Sequence, residues 1–162
     1  MFTILGVDPG SVCTGWGLVR GTGDNIEYAA SGVIRPGRKS PRYDRMKDIF
    51  LGMNRVIQEH QPTHFAVEDV FYSKNPKSAL VLGEARGVAV LAASLVGLSV
   101  FEYSPREIKQ ALTGHGGATK SQVGYMMQKI LDLPKLPERD DESDALAVAV
   151  CHAFRQREWS VT

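Results

Sequence analysis

Phe2-Thr3-Ile4-Leu5-Gly6-Val7, stopped by Asp8-Pro9-Gly10, is the stretch on which the reading of the fold turns. A short apolar run with β-branched residues, closed by an acid and a Pro-Gly turn, reads as a buried strand that delivers Asp8 to its end. Two further strands follow over residues 14–20 and 26–34, separated by Gly21-Thr22-Gly23-Asp24-Asn25. Three strands joined by short turns imply an antiparallel meander. The period then changes. Met46, Ile49, Phe50, Met53, Val56 and Ile57 recur at helical spacing within residues 41–60, basic residues occupy the other face, and Pro62 ends the helix.

Residues 64–70 read as a strand, 76–95 as a helix rich in Ala and Gly, and 99–103 as a strand after the Gly97 stop. A strand–helix–strand unit requires a parallel pair. Beyond Pro105 the pattern gives a short helix to about Leu112 and the loop Gly114-His115-Gly116-Gly117. Helices follow over 120–131 and from Asp140 to about Arg157, with Pro134-Lys135-Leu136-Pro137 as the breaker between them. The expected architecture is α/β: a five-stranded mixed sheet, antiparallel meander first and parallel strands later, flanked by helices. With 162 residues, 43% hydrophobic and 23% charged, one domain over 1–162 is expected, and disordered and fibrous classes are excluded.

The net charge of +1 hides two opposed segments. Residues 35–60 hold Arg35, Arg38, Lys39, Arg42, Arg45, Lys47 and Arg55 against Asp44, Asp48 and Glu59, a net of +4; Glu138, Asp140, Asp141, Glu142 and Asp144 against Arg139 give −4 over 138–144. The pattern suits a protein that holds cations in one place and phosphates around it, or two solvated helix faces. Cys13 and Cys151 have neither a disulfide-framework nor a zinc-ligand spacing, which fits a reducing cytoplasm. The N-terminus lacks a basic leader, and the longest weakly polar stretch, Gly87 to Val100, is too short for a bilayer. A soluble cytoplasmic protein is expected.

Four carboxylates fall in or at the ends of regular elements. Asp8 closes the first strand. Glu68 lies within Phe65-Ala66-Val67-Glu68-Asp69-Val70, where alternation points it to the side of Ala66 and Val70. An acid among apolar neighbours is costly unless paired or metal-bound. Asp141 and Asp144 stand three apart on one helix face and are able to clamp one cation, and hard divalent cations take such oxygen ligands. Each has a second reading: Asp8 as turn opener, Asp140 or Asp141 as helix cap with Asp144 complementing the dipole, and Glu68 on an exposed face beside Asp69. Gly114 to Ser121 is not a Walker A loop, because Thr119 stands where glycine must precede Lys120. Asp8-Pro9-Gly10-Ser11-Val12-Cys13-Thr14-Gly15 resembles the phosphate loop of actin-like and sugar kinases, which need a second domain.

Asp8-Pro9-Gly10, Val67-Glu68-Asp69-Val70-Phe71, Leu82-Gly83-Glu84-Ala85-Arg86-Gly87-Val88 and Asp141-Glu142-Ser143-Asp144-Ala145-Leu146, in this order along nearly the whole chain, resemble the RuvC family of Holliday-junction resolvases, the crossover junction endodeoxyribonucleases. The resemblance implies an RNase H-like fold in which Asp8, Glu68, Asp141 and Asp144 hold Mg²⁺ or Mn²⁺, two ions per subunit. It also implies a homodimer that nicks a four-way DNA junction symmetrically, and delivery of junctions by a branch-migration motor of the RuvA and RuvB type. The setting would be the bacterial cytoplasm, at the nucleoid. Some relatives place His at the position of Asp141.

By the same resemblance Phe71 stacks near the crossover, Lys109 and Lys120 match basic residues near the site, and the region of Gly83, Ala85, Gly87 and Ala89 forms the dimer contact. Phe71 also reads as core. Lys74, Lys77 and Arg86 are further candidates for DNA binding around the loop at 72–75, with Arg86 open to pairing with Glu84 instead. Three function classes follow: a junction-resolving nuclease, an RNase H-like nuclease acting on RNA–DNA hybrid or single strands, and a catalytically silent junction-binding module.

Overall fold

The computed structural model of the chain describes residues 1–22, 25–37, 39–69 and 75–159. Its five strands are β1 (Phe2–Asp8), β2 (Thr14–Thr22), β3 (Asn25–Ile34), β4 (His64–Glu68) and β5 (Ser99–Tyr103), in spatial order β3-β2-β1-β4-β5. The pairs β1–β2 and β2–β3 are antiparallel, whereas β1–β4 and β4–β5 are parallel. The mixed sheet therefore has the expected order of connections. The five-residue turn is corrected: β2 reaches Thr22 and β3 starts at Asn25, since the ladder pairs these two residues directly.

Five helices cover the sheet: α1 (Arg42–His60), α2 (Pro76–Leu95), α3 (Pro105–Thr113), α4 (Lys120–Ile130) and α5 (Asp140–Trp159). Their ends follow local chemistry. In α1, Gln61 adopts the left-handed conformation and its N–H donates to the Ile57 carbonyl, just before Pro62. Reciprocal capping boxes start α3 (Ser104 with Glu107) and α4 (Thr119 with Gln122), and Gly114 at φ 76° closes α3. Thr119, the residue that spoils a Walker loop, is thus the cap that sets Lys120 at the first position of α4.

Strand alternation divides the core. Leu5, Val7, Leu18, Phe65 and Val67 face α1 and α2, meeting Met53, Ile57, Ala89, Ala92 and Ala93. Ile4, Val19 and Ala66 face the opposite way and pack with Ile108, Met127, Leu146 and Val150 of α3, α4 and α5. Asp8 and Glu68, in step with Ile4 and Ala66, therefore belong to the α5 face.

The expectation about apolar length is corrected as well, because α2 is 20 residues long with a mean hydropathy of 1.5, enough by length and composition to cross a bilayer. Its Ala85, Ala89, Ala92 and Ala93 are buried in the core, while Leu80, Leu91 and Leu95 are exposed on the outside. Both cysteines are free.

Deep in the α5 face, the Tyr103 hydroxyl and His152 Nδ1 lie 2.7 Å apart, and His152 is fully buried. Burial, and then the nearby His64, push the His152 imidazole down to about 4. The unfolded chain takes up this proton near 6.5, so the stability this group contributes is whole above pH 6.5 and is lost as pH falls toward 4. Tyr103→Phe removes this hydrogen bond from the buried ring; we expect a loss of about 2 kcal/mol, read as a fall of roughly 6 °C in Tm at pH 7.5. An unchanged Tm would show that the hydroxyl contributes nothing there.

Candidate active site

β1 and β4 are parallel neighbours with Val7 paired to Val67, so Asp8 and Glu68 end side by side at the same edge of the sheet. The first turn of α5 reaches this edge because β1 and β2 are cleared for it by glycine. A Cβ on Gly6 would stand 2.2 Å from the Ala145 carbonyl oxygen, and one on Gly15 only 2.0 Å from that of Asp141. Gly17 makes room for Leu146 in the same way. Since Gly15 pairs with Asp8 across the ladder, the contact of Gly15 with Asp141 sets the third carboxylate beside the first. Asp144, one turn along α5, faces Glu68.

The electrostatics record the convergence. Desolvation, followed by the charges of Glu68, Asp144 and Asp141, pushes the Asp8 carboxyl up to about 7, against a weaker opposing pull from Lys120. Burial and Asp144 likewise raise Glu68, while Lys109 and Lys120 lower it. The Lys120 ammonium lies 3.1 Å from both Asp140 Oδ2 and Asp144 Oδ2. Burial works against its charge, but hydrogen bonds with Asp144 and Asp140 outweigh this and raise it. A cleft of about 310 Å³ opens between Glu68, Asp144, Lys109 and Lys120, walled on the far side by Pro105 and Val123.

Among the described residues, no three acidic, histidine or cysteine side chains are already drawn close enough to hold an ion. Carboxylates that raise one another's pKa repel, and stay apart until a cation offsets them. The donor set is all oxygen, with Asp8 and Glu68 desolvated, which suits a hard divalent cation. Lys120 makes the only charge-neutralising contact with Asp144 among the described residues.

Of the remaining sequence candidates, Lys109 and Lys120 stand at the cleft, and Lys77 is exposed in the first turn of α2, its N–H donating to the Asn75 cap. Phe71 and Lys74 lie outside the described residues. The pairing of Arg86 with Glu84 is corrected. Glu84 is bound by Arg42 of α1, and Arg86 reaches Glu102 of β5 at 2.6 Å and Asp69 at 4.0 Å. Two residues apart on α2, Glu84 and Arg86 face different neighbours, as a 3.6-residue period requires. The sequence reading passed over Gly6, Gly15 and Gly17 as site residues; glycines inside strands, with Gly15 and Gly17 two apart in β2, were the available signal.

The family model for crossover junction endodeoxyribonuclease RuvC matches residues 4–152. The chain belongs to the RuvC family. A crossover junction endodeoxyribonuclease RuvC of Pelotomaculum thermopropionicum is 48% identical over 93% of this chain and 92% of its own length. One of Marinobacter nauticus is 52% identical over 94% and 86%. Among solved structures, Thermus thermophilus RuvC in complex with a Holliday junction substrate superposes with a TM-score of 0.93 at 32% identity, covering 99% of this chain and 98% of that one. The RuvC fold is the RNase H-like fold expected from the motifs, and RuvC nucleases are metal-dependent.

Proposed function

We propose that this chain is a crossover junction endodeoxyribonuclease that resolves four-way DNA junctions by paired, symmetric nicks. The observation that supports it most directly is the meeting of Asp8, Glu68, Asp141 and Asp144 at one end of the sheet, beside two lysines, in a chain of the RuvC family. In this reading the four carboxylates hold two divalent cations, Mg²⁺ or Mn²⁺. When bound, such ions supply Lewis acidity for the attacking water and the leaving 3′ oxygen of the phosphodiester. The protein's own part is placement. Asp8 and Glu68 are fixed by the ladder and Asp141 and Asp144 by α5, so the backbone stays in place and only the side chains close on the cations. Lys120 exchanges its contact with Asp144 for a phosphate oxygen of the cut strand, and Lys109 positions the same backbone. Lys74, Lys77 and Phe71 contact DNA along the 70–77 segment, and Arg86 acts by holding Asp69 next to Glu68.

A single cleft cuts one strand, so paired cuts need two copies. The outer face of α2, with Leu80, Leu91 and Leu95 exposed and open space above Gly83 and Gly87, is the surface a second copy of this chain covers. A two-fold dimer matches the pseudo-two-fold junction. The bacterial cytoplasm and hand-over from a branch-migration motor complete this reading.

The test is nick mapping on an end-labelled junction that can branch-migrate, alongside linear duplex, single strand and RNA–DNA hybrid, in Mg²⁺ and in Mn²⁺. Paired symmetric nicks confined to the junction are expected. Cleavage of hybrid or single strand with the junction intact would replace this reading with a general RNase H-like nuclease.

A further inference from the structure

We propose that the passage from β3 into α1 carries a second backbone-phosphate site, built on Arg35 and Arg45, that grips DNA on the side of the carboxylate cluster opposite Lys109 and Lys120. This inference rests on the junction-cutting reading and extends it. Topology supplies the placement. β1 and β3 are each antiparallel to β2, with Asp8 paired to Gly15 and Thr14 to Ile34. Arg35 therefore leaves the sheet at the same end as Asp8. The tight turn that closes with the Ser40 N–H on the Gly37 carbonyl starts α1 at that end too, which puts Arg45 one turn into the helix. Lys109 and Lys120 come from helices on the α5 face of the sheet, whereas α1 packs on the other face. A strand crossing the acids thus meets cations on both sides.

Each arginine is placed for an external anion. Arg35 is exposed, has no carboxylate partner among the described residues, and stands near enough to Cys13 for its charge, like that of Asp141, to act on that thiol. It sits one side chain away from the cluster. The Nε of Arg45 is buried and has no hydrogen-bond partner, in a narrow recess lined also by Ser11 of the β1–β2 loop and by the Arg42–Glu84 ion pair. Buried donors in native proteins find acceptors, and a phosphate oxygen is one. The neighbouring cations are already engaged: Arg42 with Glu84 and Lys47 with Asp44. Among the described cations of this basic stretch, Arg35 and Arg45 at the site-facing end carry no ion pair, and neither does Arg55 further along α1.

Junction affinity, measured in EDTA across a salt series with a labelled four-way junction, tests the proposal. Each phosphate contact contributes about 0.9 to the slope of log affinity against log salt. The double variant Arg35→Gln with Arg45→Gln is expected to lose about 2 from that slope and to bind about tenfold more weakly at low salt. Arg55→Gln, three turns down α1, is expected to match the wild type. If the double variant does not fold, judged by circular dichroism, Arg35→Gln and Arg45→Gln are measured singly, and each is then expected to lose about 1 from the slope. Folded variants with wild-type slope and affinity would overturn the site. A wild type that leaves junctions uncut, in which the variants still lose slope on linear duplex, would keep the phosphate site and remove the junction reading.

Discussion

Asp8→Asn protein is expected to melt about 5 °C above the wild type in EDTA at pH 8, and to cut no junction in Mg²⁺ or Mn²⁺. Both effects come from one carboxylate. In the unfolded chain Asp8 ionises near its ordinary 3.8, whereas in the folded chain burial and three acidic neighbours hold it protonated up to about 7. Between those values the folded chain binds a proton that the unfolded chain has released, so stability falls as pH rises from 4 to 7 and is lowest above 7. The neutral amide avoids this cost, a gain of about 2 kcal/mol at pH 8. The amide cannot supply the charge a divalent cation requires, and cleavage goes with it.

The same reasoning fixes the response to metal. Adding Mg²⁺ to the wild type at pH 8 raises Tm by stabilising the folded form alone. The rise shrinks at pH 5, where a proton competes for Asp8, and is smaller at either pH in Asp8→Asn. Junction binding in EDTA is retained by the variant. A variant less stable than the wild type at pH 8, or a Mg²⁺ response that grows toward pH 5, would remove Asp8 from the ligand set.

The second large effect is expected from a single methyl group. Gly15→Ala puts a Cβ 2.0 Å from the Asp141 carbonyl oxygen and 2.4 Å from its carbon. Both are backbone atoms and no rotamer relieves the clash, so the first turn of α5 moves off the sheet or the strand yields. Overpacking of this kind typically costs about 1–3 kcal/mol. Activity suffers more, because Asp141 and Asp144 ride on that turn and a displacement of about 1 Å can cost on the order of a hundredfold in rate. The variant is expected to melt lower than the wild type and to show a reduced Mg²⁺ response, in contrast to the higher Tm of Asp8→Asn. Wild-type cleavage by Gly15→Ala would show that α5 does not depend on this close approach.

Much of this was legible in the residues. Alternation in Phe2–Asp8 and His64–Glu68 placed Asp8 and Glu68 on one face, and local punctuation bounded α2 at Pro76 and Leu95 and β5 at Ser99 and Tyr103. These features depend on neighbours a few residues apart, which periodicity and turn chemistry report. The resemblance in four motifs tied them to one family. Arg86 shows where such reading ends: spacing offered Glu84, but the partner was Glu102, brought from β5 by a parallel crossover.

The order of elements and the faces of the strands were therefore determined by sequence alone, which also singled out the four acids as candidates. How closely those acids approach was decided only by the tertiary structure. That distance is set where α5 lies on Gly6 and Gly15, and where Lys120, at the capped start of α4, meets Asp144. The first depends on backbones meeting across more than a hundred residues of chain and the second on side chains from two helices, relations that no local period encodes, because the glycines contribute only the absence of a side chain.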